Sequence, residues 1–124
     1  MRNILLLLIA LIMSGMTVKQ EKFSYKALQK ELQLLDVKHI KIVLAQAKLE
    51  TGNFKSNYFK KRNNLFGFKG NHGYLYFNSW KECCKYYKRW QKKRYKGGDY
   101  YHFLKKVGYA VDPTYIKKLK KCLK

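Results

Sequence analysis

Acidic side chains are scarce in this chain of 124 residues: 7 Asp and Glu stand against 28 Lys and Arg, giving a formal net charge of +21. Histidine and cysteine are scarce too, with 3 of each, at positions 39, 72 and 102 and at 83, 84 and 122. No His lies at ligand spacing from the cysteines, which sets aside a Cys/His metal site. None is near enough in sequence to act as base for a Cys nucleophile. His39, His72 and His102 therefore read as solvated or hydrogen-bonded side chains, and GFKG at 67–70 lacks the length and Lys placement of a phosphate-cradling loop. Neither a metal nor a cofactor is expected. Long apolar runs are also missing: Ile4 to Met13 spans 10 residues, about half of the roughly 20 needed to cross a bilayer.

That run follows Arg2 and precedes the small residues Ser14 and Gly15, the pattern of an export signal cut between Ser14 and Val18. The expected division is a signal peptide at 1–16 and a single domain at 17–124, since so short a chain can build only one core. The domain would be secreted or periplasmic, act as a monomer and keep no transmembrane anchor. Losing Arg2 takes the charge from +21 to +20, and so basic a surface seeks polyanions. The 11 Tyr and 7 Phe among the lysines would suit nucleic acid. Export directs the charge elsewhere, to anionic envelope polymers such as cell-wall chains, lipopolysaccharide phosphates and acidic head groups. Solvated lysines with no specific partner are the plainer reading of the same composition. In an oxidising compartment three cysteines allow one bridge and leave one thiol.

Helical spacing of Leu28, Leu32 and Leu35 after Ser24 predicts a first helix over 24–35. Asp36 is expected to cap a second, which buries Ile40, Val43, Leu44 and Ala47 and stops at Gly52. A short basic segment follows, with Phe54, Tyr58 and Phe59 turned inward. Glycines 67, 70 and 73 and the alternation around Tyr74, Tyr76 and Asn78 predict a hairpin. SWKE then reads as a capping box, with Ser79 as cap and Glu82 reaching back. Gly97 and Gly98 break that helix, Asp99 caps the next, and Asp112-Pro113 opens the last. The fold class is α+β, mostly helical with one small β-hairpin.

Most of the acids have an evident structural task. Asp36, Asp99 and Asp112 stand at helix starts, Glu82 completes the capping box, and Glu21 and Glu31 fall on polar stretches. Glu50 has none. It sits in the last turn of its helix, where the macrodipole disfavours an anion, and shares a largely apolar face with Val43 and Ala47. Desolvation there would raise its pKa and hold a proton near neutrality, as a general acid requires. A surface Glu paired with Lys48 or Lys55 is the competing reading of the same spacing.

AQAKLETGNFKSNYF followed by NNLFGFKG resembles the signature of the bacterial glucosaminidase family, glycoside hydrolase family 73. NSWKECCKYYKRW, DYYHFLKKVG and YAVDPTYIKKL continue the likeness in order, so that it covers residues 23–124. The resemblance implies a lysozyme-like fold with a groove for peptidoglycan glycan strands, and hydrolysis of the bond after N-acetylglucosamine. It places Glu50 on the family's catalytic acid and Tyr109 on an active-site Tyr, with core packing as the alternative for Tyr109. Asn64 and Phe66 would line or shape the groove, Phe66 from the core side, and Tyr74 and Tyr76 are candidate sugar-stacking residues. Many members supply a second carboxylate from the hairpin region. No acid lies between Glu50 and Glu82 here, and the capping-box position of Glu82 gives it a structural task. A noncatalytic, cationic glycan-binding module is the alternative function.

Overall fold

The computed structural model describes residues 21–123; the expected signal segment at 1–16 lies outside them. Among the described residues are six helices and one two-stranded antiparallel ribbon, the α+β arrangement expected. Helix α1 (Tyr25–Leu34) starts where Ser24 Oγ accepts from Ala27 N at 3.0 Å, and it buries Leu28 and Leu32 completely. Helix α2 (Ile40–Glu50) begins four residues after Asp36. Asp36 does not cap it: its φ is +54°, and its carboxylate pairs with Lys38 at 3.2 Å. The delay buries Val37, and His39, also left-handed, becomes the N-cap without a side-chain bond.

Helix α2 is buried on more than one stripe. Val43, Leu44, Ala45, Gln46 and Ala47 are all inside, while Ile40 is only half-buried. The helix packs between α1 and the final helix, which explains why a polar residue, Gln46, lies at 0% exposure. Its C-terminus is closed by buried Thr51, whose Oγ1 donates to Ala47 O at 2.6 Å and accepts from Phe54 N at 2.8 Å. Gly52, Asn53 and Phe54 then take positive φ in succession, at +56°, +59° and +66°. For Phe54 this conformation is costly. Ring contacts to Phe23 at 5.1 Å and to Phe59 at 6.3 Å hold it.

Helix α3 (Asn57–Arg62) is the short basic segment, opened by Ser56, whose Oγ accepts from Phe59 N, and ended by left-handed Asn63. Phe59 faces inward as expected, but Tyr58 is 64% exposed. Strands β1 (Lys69–Gly70) and β2 (Gly73–Tyr74) pair Lys69 with Tyr74. The ribbon is shorter than the alternation suggested, and Tyr76 lies beyond it, although Leu75 N still donates to Phe68 O at 2.9 Å.

Helix α4 (Trp80–Arg94) runs through the centre and α5 (Tyr100–Lys106) and α6 (Tyr115–Lys121) close the domain. Ser79 Oγ accepts from Glu82 N at 3.1 Å, but the Glu82 carboxylate turns to Lys85 at 3.3 Å, so only half of the capping box forms. Asp99 caps α5 as expected, accepting from Tyr101 N and His102 N. Asp112 holds the turn before α6 by accepting from Thr114, and the helix proper starts at Tyr115, two residues after Pro113. The one bridge that three cysteines allow is not formed: Cys83, Cys84 and Cys122 are all free. Cys83 and Cys84 are fully inside, and burial pushes the Cys83 thiol up to about 12, so both act as packing groups.

A chain of polar groups threads this apolar core. Gln91 Nε2 donates to Tyr100 Oη at 2.9 Å, Tyr100 and Tyr87 share a 2.6 Å bond, and Tyr87 donates to Gln46 Oε1 at 2.5 Å. Because the Tyr87 proton is spent on Gln46, Tyr100 is the donor to Tyr87. The remaining Gln91 groups bind Lys38, Oε1 accepting from its N at 2.8 Å and Nε2 donating to its O at 2.9 Å. Tyr87→Phe should therefore strand Gln46 Oε1 and cost about 1–3 kcal/mol. Urea denaturation measures it, and a loss below about 0.5 kcal/mol would show that the chain adds nothing.

Candidate active site

Glu50 lies where the end of α2 meets the Leu65–Phe68 loop and the ribbon. Two cavities open on either side of its carboxylate, of about 260 and 580 Å³, and they share Glu50, Gly67 and Tyr74. The smaller continues along Ser56, Tyr58 and Asn64; the larger continues along Lys69, Trp90, Arg94, Tyr109 and Asp112. Together they make a groove of ligand-binding size with one carboxylate at its middle. Neither Lys48 nor Lys55 pairs with it: Lys48 Nζ lies over the Tyr25 ring at 4.7 Å, and among the described residues Glu50 is in no ion pair.

The Glu50 side chain is open to solvent through the groove, yet its pKa is raised. The two facts agree on a concave wall, where water reaches the carboxylate from one side while protein removes most of its hydration on the others. Desolvation is the largest influence. Tyr115 and the Lys69 ammonium oppose it by favouring the anion. The Tyr115 hydroxyl is buried and closes no hydrogen bond of normal geometry, and neither does Gln46 Nε2. Tyr115 lies near enough to interact with both Gln46 and Glu50. The polar chain of the core thus ends beneath the carboxylate.

Gly67 makes the close approach possible. At φ +70° it takes a left-handed conformation, and a Cβ there would collide with Glu50 Oε2. Tyr109 helps to hold this loop, because its hydroxyl donates to the Phe66 carbonyl while its ring packs on Trp90 at 5.5 Å and stacks on Tyr115 at 5.8 Å. Tyr109 lines the larger cavity with its proton already committed. Burial keeps that hydroxyl protonated, its pKa well above the usual phenol value.

Asn64 borders the smaller cavity, but its side chain is spent on the ribbon. Its Nδ2 donates to Phe68 O at 2.9 Å and Leu75 O at 3.1 Å, and its Oδ1 accepts from Phe68 N at 3.1 Å. Phe66 is at 0% exposure and packs on Tyr87 at 4.5 Å, behind the groove. Tyr74 stands at the junction of both cavities, 46% exposed. Tyr76 lies outside them and packs on Arg62. Glu82, paired with Lys85, borders neither cavity. Trp90 and Tyr115 were not singled out by sequence, and Tyr58 was expected in the core. Tyr115 follows Tyr109 by six residues within YAVDPTY, and nothing in that spacing says which hydroxyl reaches Glu50.

Asp112 is the other carboxylate bordering the groove. Its Oδ1 accepts from Thr114 N and Oγ1, and its Oδ2 pairs with Lys118 at 2.7 Å, which brings its pKa down to about 2. Both oxygens are therefore engaged on the turn before α6. Among the described residues no three His, Cys, Asp or Glu side chains gather at metal-binding range.

The family model for mannosyl-glycoprotein endo-beta-N-acetylglucosaminidase, the glucosaminidase domain, matches residues 25–124. The chain belongs to this family. No curated protein and no solved structure matches it significantly. The glucosaminidase domain is a glycoside hydrolase domain, and the match runs from the first residue of α1 past the end of α6. It therefore takes in the whole groove.

Removing the Tyr115 hydroxyl takes away one of the two groups that favour ionised Glu50. Tyr115→Phe should raise the Glu50 pKa further, read by carboxyl-carbon NMR titration; a fall or no change would show that desolvation and Lys69 alone set it. The raised value also means that the folded state binds this proton more tightly than the unfolded chain. Stability should fall as pH climbs from the ordinary Glu value through the raised one, and Glu50→Gln should remove that slope.

Proposed function

We propose that the protein is an exported peptidoglycan hydrolase that cleaves the glycosidic bond after N-acetylglucosamine, with Glu50 as general acid. The supporting observation is the seat of Glu50: a single protonatable carboxylate at the middle of an open groove, on a domain of a glycoside hydrolase family. Two adjoining cavities that share Glu50 give a polymer room to lie across the acid, which suits cleavage within a chain. Its raised pKa keeps a fraction protonated toward neutral pH, when the leaving oxygen needs a proton.

The reaction breaks the bond between the anomeric carbon of N-acetylglucosamine and the oxygen of the next sugar. Glu50 gives its proton to that oxygen as it departs. A second protein carboxylate would ordinarily attack or activate water from the other face. Asp112, the other carboxylate in the groove, has both oxygens engaged. The acetamido oxygen of the substrate itself then closes on the anomeric carbon, forming an oxazolinium ring. Water opens that ring at the anomeric carbon and returns a proton to Glu50. Two displacements at one carbon retain its configuration.

Glu50→Gln should lower the release of new reducing ends from peptidoglycan by about 10²–10⁴-fold with the fold intact by circular dichroism. Unchanged release would remove Glu50 from the chemistry. Fragment mass spectrometry should find N-acetylglucosamine at the new reducing end, and NMR of fresh product should show the β anomer; a muramic-acid end or an α anomer overturns the bond or the route. Among the described residues the second carboxylate of the groove, Asp112, is fully engaged, which also fits a cationic glycan-binding module. That reading predicts salt-sensitive sedimentation with peptidoglycan and no new reducing ends from the wild-type protein.

A further inference from the structure

Around the groove the aromatic and basic side chains are interleaved. The Arg62 guanidinium lies between two exposed rings, 4.6 Å from the Tyr58 centroid and 4.9 Å from that of Tyr76. Lys69 Nζ is 4.9 Å from the Tyr74 centroid, and Tyr58 and Tyr74 are 6.2 Å apart. Tyr58 and Tyr74 line the smaller cavity; Arg62 does not line it but packs on the Tyr58 ring at its border. Lys69 and Arg94 line the larger one. Among the described residues none of these three cations has an acidic partner, although Lys38, Lys81, Lys85 and Lys118 all do. Of the two acids of the groove, Asp112 is paired with Lys118, and Glu50, near enough to Lys69 to feel its charge, forms no ion pair with any of the three among the described residues.

Holding an arginine between two rings has a cost here, since Arg62 Nε is buried without a partner. A guanidinium stacked in this way has lost its freedom before any ligand arrives, and its planar fork matches a carboxylate. Neutral sugars need aromatic faces and hydrogen-bonding groups, not unpaired cations in and beside a groove.

We infer that Arg62, Lys69 and Arg94 read carboxylates carried by the glycan, so that the groove selects a strand substituted with acidic peptides over a neutral polymer of the same sugars. This rests on the hydrolase reading above and deepens it: the sugar chain supplies the bond, and the substituents supply the charge. Arg62 serves one arm and Arg94 the other, with Lys69 at the junction beside Glu50.

The test compares kcat/KM on native peptidoglycan sacculi and on the same sacculi after carbodiimide coupling to methylamine, which turns carboxylates into neutral amides. At fixed ionic strength the wild-type protein should prefer the native form by about tenfold, the scale of a charge-assisted hydrogen bond. The double variant Arg62→Gln with Arg94→Gln should bring that ratio near one. A control that removes more charge away from the groove, Lys26→Gln with Lys117→Gln and Lys121→Gln, should keep it. A wild-type ratio near one, a double variant that keeps its preference, or a control that loses it equally would overturn the inference. If both forms are cut equally, the hydrolase reading stands and only the charge reading falls; if neither is cut, both fall.

Discussion

The structure depends on the chain of hydrogen bonds that crosses the core from Gln91 through Tyr100 and Tyr87 to Gln46. Each of these polar groups is buried, so each must find a partner or destabilise the fold. The chain answers that demand by joining elements distant in sequence: the 36–39 turn through Lys38, then α5, α4 and α2. It fixes the depth and rotation of α2 at Gln46, one turn before Glu50. A helix that carries a carboxylate in its last turn needs such an anchor, because the macrodipole works against the anion there.

The same chain is left incomplete on the side of the groove. Gln46 Nε2 and the Tyr115 hydroxyl are buried without closed bonds, and Tyr115 lies within reach of both Gln46 and Glu50. Unsatisfied buried donors are uncommon and cluster where function has been bought with stability. Here they face a carboxylate whose charge changes in the proposed cycle: the Tyr115 hydroxyl can tighten on it once the proton has left and relax when the proton returns. The rest of the surroundings are stiff. Three consecutive left-handed residues follow Thr51, Gly67 presses against the carboxylate, and Tyr109 secures the loop through the Phe66 carbonyl.

Charge is distributed unevenly between these layers. The interior uses neutral polar groups and aromatic rings, while the cations lie outside, many of them on the later turns of α3, α4, α5 and α6, where they complement the helix dipoles. The groove is the exception. There, Arg62 and Lys69 stand over tyrosine faces without an ion-pair partner among the described residues, beside a carboxylate whose pKa is raised by desolvation.

Much of this could be read along the chain. Ser24, Ser79 and Asp99 were legible as caps because capping is local chemistry within three residues, and Leu28, Leu32, Val43 and Leu44 as core because helical periodicity marks a buried face. Glu50 stood out because it was the acid without a local task. The places where sequence misled are those where a distant partner decided the outcome. Asp36 lost its cap to the burial of Val37 and to the grip of Gln91 on Lys38; Glu82 turned to Lys85; Tyr58 was left outside on Arg62. Asn64 was spent on the ribbon, and Tyr115 rather than Tyr109 came to point its free hydroxyl toward Glu50. By itself the sequence determined most of the helices and the turn at the ribbon and marked Glu50 as the acid without a local task, since propensity, capping and period act over a few residues. The groove, the loss of hydration that raises the pKa of Glu50 and the hydroxyl beneath it were decided only by tertiary packing, because each requires groups tens of residues apart to share one small volume.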